Sequence, residues 1–268
     1  MVHYLQQTYA ASLSLILQTV GLARSTFHYR EKRNDQEVAA KLLELAEGLP
    51  NRGFEVYYGR IRQQNLVWNR KRVLRIYREL GLVRRRKIKQ RLSDRPVQKL
   101  EEPPELDHTY SMDFMADALE DGRRLRVLNI MDDYNREALV CLGAVSFPAQ
   151  RVIRHLAELV EERGRHPRRI RVDNGPEFLA CALQQYCSEH SIELVYIQPG
   201  KPTQNAYIER FNRHFREDVL DAYLFESYRQ FNVVAERFRQ DFNYYHPHAG
   251  NGGLPPREFG QRRMAQTG

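Results

Sequence analysis

The hydrophobic pattern of this chain changes near residue 107, where short strands first appear, and that change limits what it can fold into. Before it, apolar residues recur at helical spacing; after it come short runs with strand character. Thr109–Ala116, Leu125–Met131 and Ala138–Val145 are three such runs, the last two joined by Asp132-Asp133-Tyr134-Asn135-Arg136, a hairpin turn. Pro148 then opens a helix to about Arg163, and Arg168–Val172 makes a short strand. Asn174-Gly175-Pro176 turns into a helix from about Glu177 to His190, with a strand at Ile192–Ile197. Thr203 is placed to cap a further helix, and another spans about Tyr228–Tyr245. Hairpin strands followed by alternating helices and strands imply an α/β fold.

The front half reads as helical throughout. Leu13, Ile16, Leu17 and Val20 share one face, Gly21 breaks the helix, and Ser25 can cap a second piece. By itself this is an ordinary helical hairpin. Asp35–Leu49 is amphipathic through Val38, Leu42, Leu45 and Leu49, and a helix follows over roughly Tyr57–Gln64. Asn69 caps a third, Arg70–Leu80, which ends at Gly81 and buries Val73, Ile76, Tyr77 and Leu80. Lys71, Arg75 and Arg78 fall on its other face. A solvated charged face would look the same, but this helix runs into Arg84-Arg85-Arg86-Lys87-Ile88-Lys89-Gln90-Arg91, six basic residues in eight. Such a run holds phosphates rather than reading bases. Pro96, Pro103 and Pro104 mark an extended linker. The expected organisation is a helix-turn-helix-like DNA-binding region with a basic tail at 1–92, a linker at 93–106 and a catalytic core at 107–262.

Charge follows the same division. Residues 1–105 hold 21 Lys+Arg against 11 Asp+Glu, and residues 106–268 hold 21 against 23. A basic front and a near-neutral back suit a nucleic-acid grip on a catalytic body. Three cysteines (Cys141, Cys181 and Cys187) are too few and too oddly spaced for a disulfide framework or, with His190, a zinc module. No apolar stretch approaches the length of a membrane span, and the odd, sparse cysteine count fits a reducing cytoplasm.

Three carboxylates carry the chemistry. Asp113 lies in Tyr-Ser-Met-Asp-Phe-Met, Asp173 in Arg-Val-Asp-Asn-Gly-Pro-Glu-Phe and Glu209 in Asn-Ala-Tyr-Ile-Glu-Arg-Phe-Asn-Arg, with 35 residues between the last two. Acids on a strand, at a strand end and on a helix can share divalent cations, which favour hard oxygen ligands and serve phosphoryl transfer in pairs. On the Glu209 helix, Ile208, Phe211 and Phe215 form the buried stripe, while Asn205, Glu209, Arg213 and Arg216 lie on another face. Asp132 and Asp133 read as turn residues, Glu177 as a helix-start acid and Asp117 as part of a solvated turn.

These motifs, with Gln-Pro-Gly-Lys-Pro-Thr-Gln-Asn-Ala-Tyr-Ile-Glu-Arg-Phe-Asn and Gly-Gly-Leu-Pro-Pro-Arg-Glu-Phe, resemble the DDE transposases of the IS-three insertion-sequence family over nearly the whole chain. The resemblance implies a ribonuclease-H-like integrase core, a mixed five-stranded sheet flanked by helices. It implies Asp113, Asp173 and Glu209 as ligands of two Mg²⁺ or Mn²⁺ ions. It also implies metal-dependent nicking of element 3′ ends and strand transfer. Lys71, Arg75, Arg78, Arg84, Arg85, Arg86, Lys87, Lys201, Asn205, Arg213 and Arg216 are the expected DNA contacts. The expected partners are element-end and target DNA, further copies of the chain on that DNA, and the protein of an upstream reading frame or a fusion with it. Three positions depart from the family pattern: Tyr110 for Trp, His246 for Arg before Pro247-His248, and Asn251 for Leu. Two other readings stand beside this one, a non-catalytic DNA-binding derivative and a ribonuclease H acting on RNA–DNA hybrids.

Overall fold

The computed structural model describes residues 2–9, 12–28, 35–83, 102–198 and 202–267. The expected contacts Arg84, Arg85, Arg86, Lys87 and Lys201 lie outside them, as does the cap expected from the Thr203 side chain. The chain forms two compact units, Met1–Lys41 and Leu42–Gly268.

In the first unit, α1 (Val2–Tyr9), α2 (Leu13–Val20) and α3 (Arg24–Phe27) gather around Val2, Ile16 and Leu17. Ser12 Oγ accepts from Leu15 N–H at 3.3 Å and caps α2, which Gly21 closes at φ +68°. Helix α3 follows Ala23 rather than a Ser25 cap and makes a single turn.

The second unit takes in the later part of α4 (Gln36–Gly48) with α5 (Phe54–Gln63) and α6 (Arg70–Glu79). Leu42, Leu45, Phe54, Tyr57, Ile61, Val73, Ile76 and Tyr77 are buried apolar residues there. Helix α5 starts three residues ahead of expectation, and its first residue, Phe54, sets its ring edge-on to Tyr77 at 5.4 Å. Asn69 Oδ1 accepts from Lys71 N–H at 2.8 Å, the expected cap of α6.

The rest of this unit is the α/β body: β1 (Thr109–Ala118), β2 (Arg124–Asp132), β3 (Glu137–Ala144), α7 (Ala149–Arg163), β4 (Arg169–Val172), α8 (Cys181–Glu189), β5 (Glu193–Tyr196), α9 (Ala206–Phe215), α10 (Tyr228–Tyr245) and α11 (Pro256–Thr267). The strands order as β3-β2-β1-β4-β5, antiparallel among the first three and parallel from β1 to β5. This is the mixed five-stranded sheet expected from sequence. Alternation along β2 feeds both faces. Leu128 and Ile130 join Val152, Leu156, Phe178 and Leu183 on one side; Leu125 and Val127 join Phe211, Phe215, Phe231 and Phe242 on the other.

Two local expectations are corrected. Helix α8 begins at Cys181 instead of Glu177, because Phe178 is drawn fully into the core, where it stacks on Phe114 at 4.9 Å. Glu177 therefore starts no helix and pairs with Arg126 at 2.9 Å. The C-terminal α11 was not anticipated. Among the described residues no helix is long and apolar enough to cross a membrane, and Cys141, Cys181 and Cys187 are free.

The connection between α4 and α5, and α5 itself, are tied to the α/β body by polar contacts. Asn51 Nδ2 donates to Glu217 O at 2.6 Å, buried Arg52 pairs with half-buried Asp218, and Arg60 Nη1 donates to Asp241 Oδ1 at 2.9 Å. Gly59 lies so near Pro247 that a Cβ there would stand 2.7 Å from its Cγ. Beside this seam His246 stacks on Phe242 at 5.0 Å and 11° and sits 5.2 Å from His214. Burial, then the charge of Arg52, pushes His214 down to about 3 and His246 to about 2; burial and then Arg136 push His248 to about 4. An uncharged ring at 246 avoids setting a second cation against Arg52, which accounts physically for histidine where the family has arginine. The unfolded chain takes up a proton at residue 246 below the ordinary histidine value of 6.5, and the folded chain does not. Stability is therefore lost here as pH falls through 6.5. His246→Phe should gain on the parent in urea unfolding below that pH, by on the order of 1 kcal/mol per pH unit. Asp132, pushed up to about 7 by burial, acts in the opposite sense in both proteins, so the difference between them is the readout. A pH-independent difference would contradict this.

Candidate active site

Parallel pairing of β1 with β4 builds one side of the site. The register pairs Ser111 with Arg171, and two residues further along come Asp113 on β1 and Asp173, the first residue after β4. The strands thus deliver two carboxylates to the same end of the sheet. On the other side of β1, Asn129 of β2 is the antiparallel partner of Asp113. The α9 stripe of Ile208, Phe211 and Phe215 is buried as the spacing requires, which fixes the helix against this sheet face with Glu209 exposed.

Asp113 senses both other acids. Burial raises the Asp113 carboxyl to about 6, with the charges of Asp173 and Glu209 adding to it, while bonds from Phe114 and Asn212 oppose the rise. Burial also raises Glu209, and Arg213 opposes it. Among the described residues no three His, Cys, Asp or Glu side chains stand close enough to hold a metal ion. The reason is visible in their partners. Asp113 takes Phe114 N–H at 2.8 Å and Asn212 Nδ2 at 2.7 Å, and Asp173 Oδ1 turns back to Gly175 N–H at 2.9 Å. The donor chemistry nevertheless suits a hard divalent cation, since every side chain is a carboxylate and their mutual repulsion is what such a cation relieves.

Sequence reading missed two residues at this site. Buried Asn129 Nδ2 donates to Asn212 Oδ1 at 2.7 Å, and Asn212 in turn donates to Asp113. This chain of amides holds Asp113 from the helix that bears Glu209. Asn212 stands three residues after Glu209, so helical spacing already placed them on adjoining faces. Asn129 was signalled as a lone amide in an apolar strand.

The other expected residues are placed as follows. Asp132 and Asp133 are fully buried. Asp132 accepts from Asp107 N–H and Tyr134 N–H at 2.8 and 2.9 Å; Asp133 accepts from Ser111 Oγ and Arg171, both at 2.7 Å. Asn205, expected on the open face with Glu209, is 2% exposed, because the chain enters α9 through a tight 3₁₀ turn that tucks it in. Arg213 is exposed; Arg216 reaches β1, donating to Asp117 at 3.2 Å and Ala116 O at 3.1 Å. Asp117 therefore belongs to β1 and is not a solvated turn residue. Lys71 and Arg78 are exposed on α6, and Arg75 there pairs with Glu79 at 2.8 Å.

At the departures from the family pattern, Tyr110 is buried with its hydroxyl donating to Asp107 at 2.7 Å, and Asn251 Nδ2 donates to Asn135 O at 2.7 Å. Both side chains fill a polar role that explains their residue type.

Comparison with known proteins bears on this arrangement. Integrase core domain families match residues 103–202 and 190–256. An insertion element IS407 protein of Burkholderia multivorans is 36% identical over 92% of this chain and 89% of its own length. Transposase InsD for insertion element IS2D of Escherichia coli is 24% identical over 94% of this chain and 91% of its own. Among solved structures, a simian T-cell lymphotropic virus intasome in complex with PP2A regulatory subunit B56 gamma aligns with 82% of this chain and 74% of the matched chain. That alignment, at 14% identity and a TM-score of 0.50, reflects a shared fold, the ribonuclease-H-like integrase core.

The amide chain generates a stability test. Asn212→Leu strands buried Asn129 and should cost about 1–3 kcal/mol in denaturant unfolding. Asn129→Leu should cost markedly less in the Asn212→Leu background than in the parent; equal costs in the two backgrounds would show that the pair is not coupled.

Proposed function

This chain belongs to the insertion-element transposases built on an integrase core, and from that premise we propose that Asp113, Asp173 and Glu209 are its catalytic carboxylates. The enzyme class is that of DDE-type polynucleotidyl transferases, which cut and join DNA. The observation that carries the assignment is convergence: strand β1, the end of β4 and helix α9 bring three acids near enough for Asp113 to feel both others.

In this reading the three carboxylates would hold two Mg²⁺ or Mn²⁺ ions, whose charge would serve phosphoryl transfer there. The chain's own groups do the remaining work. Asn212, itself held by Asn129, fixes the direction of the Asp113 carboxylate. Asp173 is oriented by Gly175 N–H; a Cβ at Gly175 would stand 2.9 Å from its Oδ1, so glycine keeps that approach open. Arg213, one turn past Glu209, neutralises phosphate charge beside the carboxylates, and Arg216 steadies the edge of β1. Water is the nucleophile for nicking, and the freed 3′-hydroxyl attacks the target phosphate in the second step.

Further proposals concern the assembly. Residues 1–92 serve as the DNA grip and 93–106 as the linker, with Lys71, Arg75, Arg78, Arg84, Arg85, Arg86, Lys87 and Lys201 on phosphates. Copies of the chain pair on element ends in the bacterial cytoplasm, together with the upstream-frame protein or as a fusion with it. The Mg²⁺-dependent reaction on a labelled duplex carrying the element's own terminal repeat tests the central assignment. With the upstream-frame protein supplied, the parent should nick and join this duplex and Glu209→Gln should lose at least a hundredfold in rate (roughly 3 kcal/mol) while binding it unchanged. Equal rates for parent and variant would remove Glu209 from the mechanism.

A further inference from the structure

Arg136 closes the β2–β3 turn at φ +65°, a left-handed conformation that non-glycine residues rarely adopt and that clusters at functional positions. Its side chain is 7% exposed, and its guanidinium lies 3.4 Å from the centroid of Tyr207, two residues before Glu209 on α9. One bond to Tyr134 O, at a long 3.4 Å, is its hydrogen bond among the described residues, and it makes no salt bridge there. A guanidinium has five N–H donors. Asp133, Glu102 and Asp132 act on this one through charge alone, without a hydrogen bond, which leaves donors for an anion.

Arg136 opens on a cleft of about 640 Å³ that Tyr134, Asn251, Phe259, Arg262 and Arg263 also line. Tyr134 and Phe259 present rings 5.9 Å apart, and Arg263 lies over Phe259 at 5.3 Å. Arg262 pairs with Glu258 on the exposed side of α11, a weak contact that a phosphate can displace. Glu102 is the acidic side chain in the lining. Three cations and two rings around a trough match a single nucleic-acid strand, whose phosphates repeat along one edge and whose bases offer flat faces.

We propose that this cleft binds the sugar–phosphate backbone of the DNA strand running away from the reacting phosphate. Arg136 holds one phosphate at its floor, Arg262 and Arg263 hold those beyond, and Tyr134 and Phe259 pack against a sugar or base. The proposal rests on the transposase reading only in taking DNA as the ligand. The test is fluorescence anisotropy of a labelled duplex with a single-stranded tail, titrated with the full chain in EDTA at several salt concentrations. Arg262→Ala/Arg263→Ala should weaken binding about tenfold and lower the salt slope by roughly 2. Arg136→Gln should lower the slope by roughly 1; because it alters a buried position, the exposed double variant decides if it fails to fold. Arg229→Ala/Arg237→Ala removes two charges from a separate depression on α10 and should leave affinity within about twofold of the parent. Unchanged affinity in the α11 double variant, or equal losses in the α10 control, would overturn the cleft while leaving the transposase reading intact, provided the parent binds and cuts DNA. A parent that does not bind DNA would sink both.

Discussion

Everything at the site depends on the pairing of β1 with β4. These strands are distant in sequence and parallel, so only the crossover through β2, β3 and α7 can bring them side by side. Once Ser111 stands opposite Arg171, Asp113 and Asp173 must emerge together. The buried ion pair of Arg171 with Asp133, and the bond from Ser111 to the same carboxylate, lock that register from the side. A slip of β4 by one residue against β1 would turn Asp173 to the face opposite Asp113. Helix α9 then needs only its apolar stripe to place Glu209 and Asn212 over the end of β1.

Much of this was legible in sequence, for physical reasons. Strand runs with period two, Pro148 ahead of α7 and the long stripe of α10 are strong local signals, and the residue bounds of those elements agree closely with the fold. The start of α8 was misread because Phe178 obeys a tertiary demand: its ring completes the core next to Phe114 and overrides the helical preference of its neighbours. At the site, motif context singled out the acids. The amides that orient Asp113 escaped, since Asn129 and Asn212 lie 83 residues apart and their bond exists only after folding. Asn205 was misplaced because its spacing assumed a regular helix where the chain makes a 3₁₀ turn.

The seam between α4–α6 and the α/β body shows how a charge pattern can be redistributed. Arg52 and Asp218 are both nearly buried, so each requires the other. Histidine at 246 keeps a flat ring on Phe242 without adding charge beside Arg52. The helices are thereby attached to the face that carries α9 and α10, close to the helix that bears Glu209. On the same α9, Tyr207 stacks on Arg136, which links the acids to the basic cleft by a single turn of helix.

The central claim is that three carboxylates from separate elements act as one divalent-cation site. Titration of the full chain with Mn²⁺, followed by electron paramagnetic resonance of the free ion, tests it without requiring turnover. The parent should take up Mn²⁺, and Asp113→Asn and Asp173→Asn should each abolish most of that uptake while retaining the parent's cooperative unfolding. Uptake unchanged in both variants would contradict the account.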